Sequence, residues 1–147
     1  MTNKYLLDSN ILIKALEDRN SPERHRFIEL LSQPDSIVYI TPLIYYEVLR
    51  GVNWKNVANY ESYVEQLNLL SNLNIDKSIA AKAIELFRFE RDYRAQYNQQ
   101  SKKPDKHNFD IMHFATANVY GLVLASNDQD FRDWEELNLK LIASQQK

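Results

Sequence analysis

The segment YLLDSNILI, residues 5–13, sets the pattern that the rest of the 147-residue sequence follows. It opens with a short apolar run, which predicts a buried strand that ends at Asp8. Ser9 or Asn10 can then cap a helix that continues to about Asp18. A strand followed at once by a helix is the first half of a βαβ unit, from which parallel sheets are built.

Strands and helices alternate through the remainder of the sequence. Further apolar runs predict strands at residues 37–40, 73–75, 122–125 and 139–142. Between them, capping residues and apolar spacing predict six helices: from Pro22, from Thr41 to Gly51, at 60–70, from Asp76 or Ser78 toward Tyr97, at 109–120 and at 130–136. Residues 98–108 are predicted to form a polar loop. This order predicts an α/β fold: a single domain over residues 1–147, with a mostly parallel central sheet and helices on both faces.

Four acidic residues occupy positions that such a fold can bring to one edge of the sheet. Asp8 directly follows the first predicted strand, and Asp128 follows the strand at 122–125. Glu47 and Asp110 lie on predicted helices that can face the same edge, where open α/β sheets bind their ligands. Carboxylates gathered at one edge repel each other unless a cation lies between them. Oxygen ligands alone suit Mg²⁺ or Mn²⁺, so the four acids together predict a metal site.

Each acid taken alone also has an ordinary structural explanation. Asp8 and Asp128 could cap the helices that follow them, and Glu47 could face solvent. Asp110, at the start of its predicted helix, would complement the helix dipole. The sequence leaves these explanations open for any single residue, and only the joint placement favours a site.

The composition excludes several classes of protein. There are no cysteines, which excludes disulfides, thiolate catalysis and cysteine-bound zinc and fits a reducing cytoplasm. No apolar run approaches the length that crosses a bilayer, and the first residues lack the features of a signal peptide. We therefore expect a cytoplasmic protein that makes no membrane contact.

The charge distribution requires any nucleic-acid site to be local, since the net charge is −2. Residues 82–106 carry a local excess of positive charge. A solvated helix face and loop would explain this stretch equally well. If it contacts a substrate, the candidate phosphate-binding residues are Arg91, Arg94, Lys102 and Lys103.

Four segments, in this order, resemble the motifs of the PIN-domain family. They are YLLDSNILI (5–13), TPLIYYEVLRG (41–51), DIMHFATA (110–117) and LASNDQDF (124–131). The chain most closely resembles the VapC-like toxins of bacterial and archaeal toxin–antitoxin pairs. The family's four acids carry over to Asp8, Glu47, Asp110 and Asp128, and its two hydroxyls to Ser9 and Ser126.

The resemblance implies an endoribonuclease that cleaves RNA phosphodiesters with a water activated by Mg²⁺ or Mn²⁺. Asp8 and Asp110 would be the main metal ligands, completed by Asp128 and Glu47, and Ser9 would orient a ligand or a water. Glu47 is also the candidate to assist deprotonation of the water. The family further implies a small antitoxin partner and a homodimer.

Two other functions remain open at this point. One is a different Mg²⁺-dependent enzyme on a similar sheet, such as a phosphatase or phosphoryl-transfer domain. Ser9-Asn10 supplies no second acid two residues after Asp8, and no glycine-rich phosphate loop follows. The other is a non-catalytic binding module with a PIN-like fold, against which the complete set of four acids argues. A metal-dependent ribonuclease assay distinguishes all three.

Overall fold

A computed structural model of the chain describes residues 2–96, 104–126 and 129–146, of which 104–107 and 129–130 are described in backbone only. The described residues up to Ile75 and from Gly121 to Ser126 form one compact unit, unit 1. Those from Asp76 to Tyr120 and from residue 129 onward form a second, unit 2. The boundaries predicted for a single domain, 1–147, stay a prediction.

Unit 1 contains a four-stranded sheet in which every pairing is parallel. In chain order its strands are β1 (Asn3–Leu7), β2 (Ser36–Ile40), β3 (Ser71–Asn72) and β4 (Val123–Ala125). They lie in the order β3-β2-β1-β4, so β1 is interior and carries the fully buried Leu6 and Leu7. The predicted α/β class and parallel sheet are confirmed.

The helices of unit 1 are α1 (Ser9–Glu17), α2 (Pro22–Ser32), α3 (Pro42–Arg50) and α4 (Val57–Leu67). Three of the four, α2, α3 and α4, begin at a side chain that caps them. The hydroxyl of Ser21 accepts the Arg24 amide at the start of α2, and that of Thr41 accepts the Ile44 amide at the start of α3. In both helices a proline holds the first helical position, where no amide hydrogen is needed.

Unit 2 contains three helices in its described part: α5 (Lys77–Gln96), α6 (Pro104–Tyr120) and α7 (Gln129–Gln145). Asp76 caps α5, because its Oδ1 accepts the Ile79 amide at 3.1 Å and the Ser78 hydroxyl at 2.6 Å. This resolves the choice between Asp76 and Ser78 that the sequence leaves open. The buried positions Ile79, Ala83 and Leu86 recur at helical spacing along α5.

Two predicted elements are wrong in position. Residues 104–108 are helical and not a loop, because α6 begins at Pro104; the rest of the predicted loop, 98–103, lies outside the described residues. Pro104 is suited to the first position of a helix, a signal that the polar composition of this stretch obscured. The strand predicted at 73–75 lies at Ser71–Asn72, and the Leu73 amide only continues the ladder with a 2.9 Å bond to the Ile40 carbonyl.

The strand predicted at 139–142 does not exist. These residues belong to α7, and the helix predicted at 130–136 extends to Gln145. The cause is visible in the burial pattern: Leu137 and Leu141, four residues apart, are buried, whereas Leu139 is 62% exposed. A spacing of four is the helical period, and the short apolar run mimicked a strand. Among the described residues, no helix is long and apolar enough to span a membrane.

Candidate active site

Asp8 occupies the junction between β1 and α1, and its carboxylate does not serve the helix. Its backbone takes the extended N-cap conformation, and its carbonyl accepts the Leu12 amide at 3.2 Å, yet its side chain makes no capping hydrogen bond. The residue is completely buried. Its Oδ2 instead accepts the Ser126 hydroxyl at 3.0 Å. The capping explanation of this acid is therefore removed.

Ser9 links Asp8 to a second carboxylate. Its hydroxyl oxygen lies 3.5 Å from Asp8 Oδ1 and 3.3 Å from Glu47 Oε2. A hydroxyl has one proton and can donate to only one of these oxygens at a time. Because both carboxylate oxygens lie within hydrogen-bond range of the same hydroxyl, they are no more than about 7 Å apart. Glu47 reaches this position from the middle of α3, so it does not simply face solvent.

The strand order explains why these side chains meet. The chain leaves β1 to form β2 and β3 on one side and returns to form β4 on the other. The gap between β1 and β4 is thus the point where the topology reverses, and open α/β sheets bind ligands outside the strand ends at such a point. Asp8 follows β1 and Ser126 follows β4, and their hydrogen bond spans this gap.

The donor set of this cluster fits a hard divalent cation. All of its side-chain donors are oxygens, two carboxylates and two hydroxyls, which Mg²⁺ and Mn²⁺ prefer and zinc and copper do not. Within residues 2–96, 104–126 and 129–146, no group of three or more His, Cys, Asp or Glu side chains is gathered closely enough to hold a metal ion. Asp128, the fourth predicted acid, lies outside these residues, so the complete ligand set stays a prediction.

Asp110 lies on α6 in unit 2 and is 5% exposed. The sequence predicted that Asp110 lies in the first turn of its helix, but α6 begins at Pro104, six residues earlier. Asp110 therefore does not interact with the dipole at the start of the helix. His113, three residues further along the same side of the helix, is fully buried. Its burial agrees with a core or supporting role.

The two described basic candidates differ in their surroundings. Arg94 places its Nε 3.4 Å from Glu90 Oε1, and both side chains are largely buried. Arg91 is exposed, with its guanidinium over the Phe87 ring at 5.9 Å. Of the two, Arg91 is better placed for a phosphate. Lys102 and Lys103 lie outside the described residues.

Sequence reasoning overlooked one buried polar residue, Asn138 on α7. It is 7% exposed, and within the described part of the chain its Oδ1 accepts no hydrogen bond. The error in secondary structure caused this omission: Asn138 is four residues after the buried Trp134, a relation that exists only if both lie on one helix. Had residues 137–142 been assigned to a helix, the side-chain amide of Asn138 would have stood out as a polar group at a core position.

Comparison with known families identifies the class of protein. The family model of the PIN domain matches residues 5–137, a range that includes all four predicted acids. The chain belongs to the PIN domain family. Among proteins of curated function, none matches it in sequence.

Solved structures share this fold. VapBC2 from Rickettsia felis, bound to a DNA fragment from its promoter, is similar at a TM-score of 0.66 and 20% identity, over 88% of this chain and 92% of that one. DNA-bound VapBC from Salmonella typhimurium has the same TM-score and identity, over 90% and 92%. VapC20 from Mycobacterium tuberculosis, described as a toxin that cleaves the sarcin-ricin loop, is similar at 0.57 and 12%, over 88% and 93%. At these identities the likeness shows the fold.

Proposed function

We propose that this PIN domain is a Mg²⁺- or Mn²⁺-dependent endoribonuclease and the toxin of a type II toxin–antitoxin pair. The observation that supports this most is the buried Asp8 carboxylate beside β4, held by Ser126 and linked through Ser9 to Glu47. Burying the Asp8 carboxylate within about 7 Å of the partly exposed Glu47 carboxylate is costly unless a cation compensates them, so the arrangement is best explained by a metal site.

The proposal assigns a role to each residue. Asp8 and Asp110 are the main metal ligands, and Glu47 and Asp128 complete the set. When bound, the metal ion lowers the pKa of a water and stabilises the leaving oxygen of the phosphodiester. Glu47 accepts the proton of the attacking water. The Ser9 hydroxyl, which lies 3.3 Å from the Glu47 carboxylate, orients that water. Ser126 fixes the direction of the Asp8 carboxylate.

The structural neighbours support the biological role. Two of them are VapBC complexes bound to DNA, and a third is described as a toxin that cleaves the sarcin-ricin loop. We propose by this likeness that the chain acts in the cytoplasm on RNA, binds a small antitoxin and forms a homodimer. The identity of the RNA is left to experiment.

A cleavage assay tests the enzyme directly. Purified protein is incubated with structured RNA in Mg²⁺, in Mn²⁺ or in chelator. We expect cleavage with either metal and none in chelator, and loss of activity in Asp8→Asn and Asp110→Asn, because each change removes a ligand charge at nearly constant size. Asp35→Asn, which alters an exposed acid of unit 1, is the matched control and should keep full activity. Equal cleavage by wild type and Asp8→Asn would refute the enzyme, and metal binding without cleavage would favour a binding module.

Expression in a bacterial host tests the toxin role. Wild-type protein should arrest growth, and the product of the neighbouring upstream gene should relieve the arrest. Asp8→Asn, expressed to the same soluble level, should be harmless. Normal growth with soluble wild-type protein that cleaves RNA in vitro would contradict the toxin role while leaving the nuclease intact.

A further inference from the structure

Trp54 is the most exposed large apolar side chain among the described residues, at 94%. Tryptophan is on average a highly buried residue, because its large ring gains most by leaving water. The other tryptophan of this chain follows that rule, since Trp134 is 1% exposed. The exposed indole of Trp54 is therefore a candidate binding surface.

Trp54 lies in a turn whose backbone is defined by hydrogen bonds. The Asn56 amide donates to the Asn53 carbonyl at 2.9 Å, which closes a turn with Trp54 near its tip. The Asn53 side chain accepts the Lys55 amide at 2.9 Å. The Asn56 side chain in turn accepts the Asn59 amide at 3.1 Å and caps α4. The backbone of the turn that carries Trp54 is thus held on both sides by hydrogen bonds to asparagine side chains.

Two exposed cations lie close to Trp54 in sequence. They are Arg50 and Lys55, in a stretch bounded by Glu47 and Glu61. The Arg50 guanidinium lies over the ring of Tyr46, itself 54% exposed, at 5.4 Å. Exposed aromatic rings beside cations match a partner that carries negative charge and flat faces together. Single-stranded RNA has both, as phosphates and unpaired bases.

The position along the chain connects this surface to the proposed active site. Glu47 lies on α3 three residues before Arg50, and Trp54 follows four residues later. By helix rise and chain length, the Cα atoms of Glu47 and Trp54 are at most about 20 Å apart. A strand of a few nucleotides spans that distance.

We infer that the α3–α4 turn is a stacking subsite for single-stranded RNA, in which an unpaired base stacks on Trp54 and adjacent phosphates contact Arg50 and Lys55. This inference rests on the proposed function and specifies its substrate as RNA with unpaired bases next to the cut. A protein partner is the competing occupant. The exposed Val57 and Tyr60 lie close to Trp54 in sequence and would suit such a partner. We favour RNA because the exposed Arg50 and Lys55 suit a polyanion, and the measurements below separate the two occupants.

Binding measured in chelator tests the subsite without any dependence on cleavage. The probe is a fluorescently labelled single-stranded RNA 12-mer, read by anisotropy, with the same sequence as a duplex for comparison. Trp54→Ala should raise the Kd for the single strand about tenfold or more, the equivalent of losing one stacked base. Trp54→Phe should restore most of the affinity. Leu69→Ala is the matched control, because Leu69 is another exposed apolar residue of unit 1, and it should bind as wild type does.

Two further readouts address the mechanism of binding. The single strand should quench the exposed indole of wild-type protein, and this quenching should be absent from Trp54→Phe. Arg50→Ala and Lys55→Ala should each lower the slope of log K against log salt by about 0.7, the value for one phosphate of a single strand. A slope that is unchanged in both variants would contradict the assigned phosphate contacts.

The outcomes separate the inference from the function on which it rests. If Trp54→Ala binds the single strand and cleaves RNA as wild type does, the subsite is wrong and the nuclease stands. If wild type binds RNA through Trp54 but never cleaves it, the proposed function is wrong and the subsite stands. If Trp54→Ala alters only self-association or antitoxin binding, the turn is a protein interface and the inference is overturned.

Discussion

At the scale of single residues, two serine hydroxyls are bound to the same buried carboxylate but do not contribute equally. Ser126 donates to Asp8 at 3.0 Å, whereas Ser9 lies at 3.5 Å from Asp8 and 3.3 Å from Glu47. The shorter bond to a charged acceptor should carry more of the stabilisation.

We therefore expect Ser126→Ala to lower the free energy of unfolding by about 1–3 kcal/mol and Ser9→Ala by less. Both variants should also lose activity, because Asp8 and Glu47 are then held less firmly. Urea unfolding in chelator measures the stability effect. Ser32→Ala is the control, because the Ser32 hydroxyl donates to the Ile28 carbonyl on an exposed helix face. An equal loss in all three serine variants would show that Asp8 is not specially supported.

Asp76 makes stability depend on pH through its position at the start of α5. The Ser78 hydroxyl, and then the Ile79 amide, hold the pKa of the Asp76 carboxyl below its usual value of 3.8. Because the pKa of Asp76 is lower in the folded state, its charged carboxylate stabilises the fold at pH values above the pKa of the unfolded chain. This contribution is lost as the pH falls through the folded pKa.

Wild type should accordingly be more stable than Asp76→Asn by a constant margin from pH 7 to 5. The margin should shrink as the pH drops below about 4. Chemical unfolding of both proteins at pH 7, 5 and 3 measures it. Ser78→Ala, which removes the largest cause of the shift, should show a smaller dependence on pH than wild type. A margin that persists unchanged at pH 3 would rule out this origin.

At the scale of secondary structure, the helix α7 replaces the strand predicted at residues 139–142, and the two assignments predict different burial of Leu139. If residues 139–142 formed a strand, Leu139 and Leu141 would share a face and be equally buried. In the helix, Leu141 is 4% and Leu139 62% exposed.

Leu141→Ala should therefore cost about 2–4 kcal/mol in the free energy of unfolding, while Leu139→Ala stays within about 0.5 kcal/mol. Each variant serves as the control for the other, since they delete the same atoms two positions apart. Thermal or urea unfolding measures both stabilities. A similar loss of stability in the two variants would support a strand at residues 139–142.

Two glycines end helices in different conformations, which the sequence could not distinguish. Gly121, after α6, has φ of +66°, the left-handed region that side chains disfavour. Gly51, after α3, has φ of −82° and needs no glycine.

Gly121→Ala should destabilise the protein by about 1 kcal/mol from backbone strain alone, since nothing lies within 4 Å of the added carbon. Gly51→Ala should be neutral or stabilise by up to about 1 kcal/mol through the unfolded state. Paired melts test the contrast, and equal effects would contradict the assigned conformations.

The elements near the proposed site were predictable because their signals are local. The apolar run of β1 and the Thr41-Pro42 pair that starts α3 lie within a few residues of the structure they specify. The hydrogen bond from Ser126 to Asp8 was not predictable from local pattern, because it depends on strand order. Only the family resemblance pointed to Ser126. Trp54 was missed because a single aromatic residue in a polar stretch has no period to mark it.

At the scale of the whole molecule, the proposed metal site predicts a trade between stability and function. If Asp110 joins Asp8 in holding a cation, the metal-free protein carries unrelieved repulsion. Asp110→Asn should then be more stable than wild type in chelator, by roughly 1 kcal/mol.

Excess Mg²⁺ should narrow or reverse that order, because the ion stabilises wild type by mass action and the variant less. Thermal melts with and without Mg²⁺ give the answer, with Asp35→Asn as the control that should respond to Mg²⁺ as wild type does. A buried Asp110 that only serves packing would give the opposite result: Asn would melt lower in chelator, and Mg²⁺ would shift both proteins equally.

The placement of β4 beside β1 also has a consequence for the time at which the protein becomes active during synthesis. The two partners of the Asp8–Ser126 hydrogen bond are 118 residues apart in sequence. Contacts of such long range form late, and a ribosome delivers the last strand only when most of the chain has already emerged. A nascent chain that stops before Gly121 lacks the whole strand that flanks Asp8. Interrupted translation products should therefore lack the proposed nuclease activity.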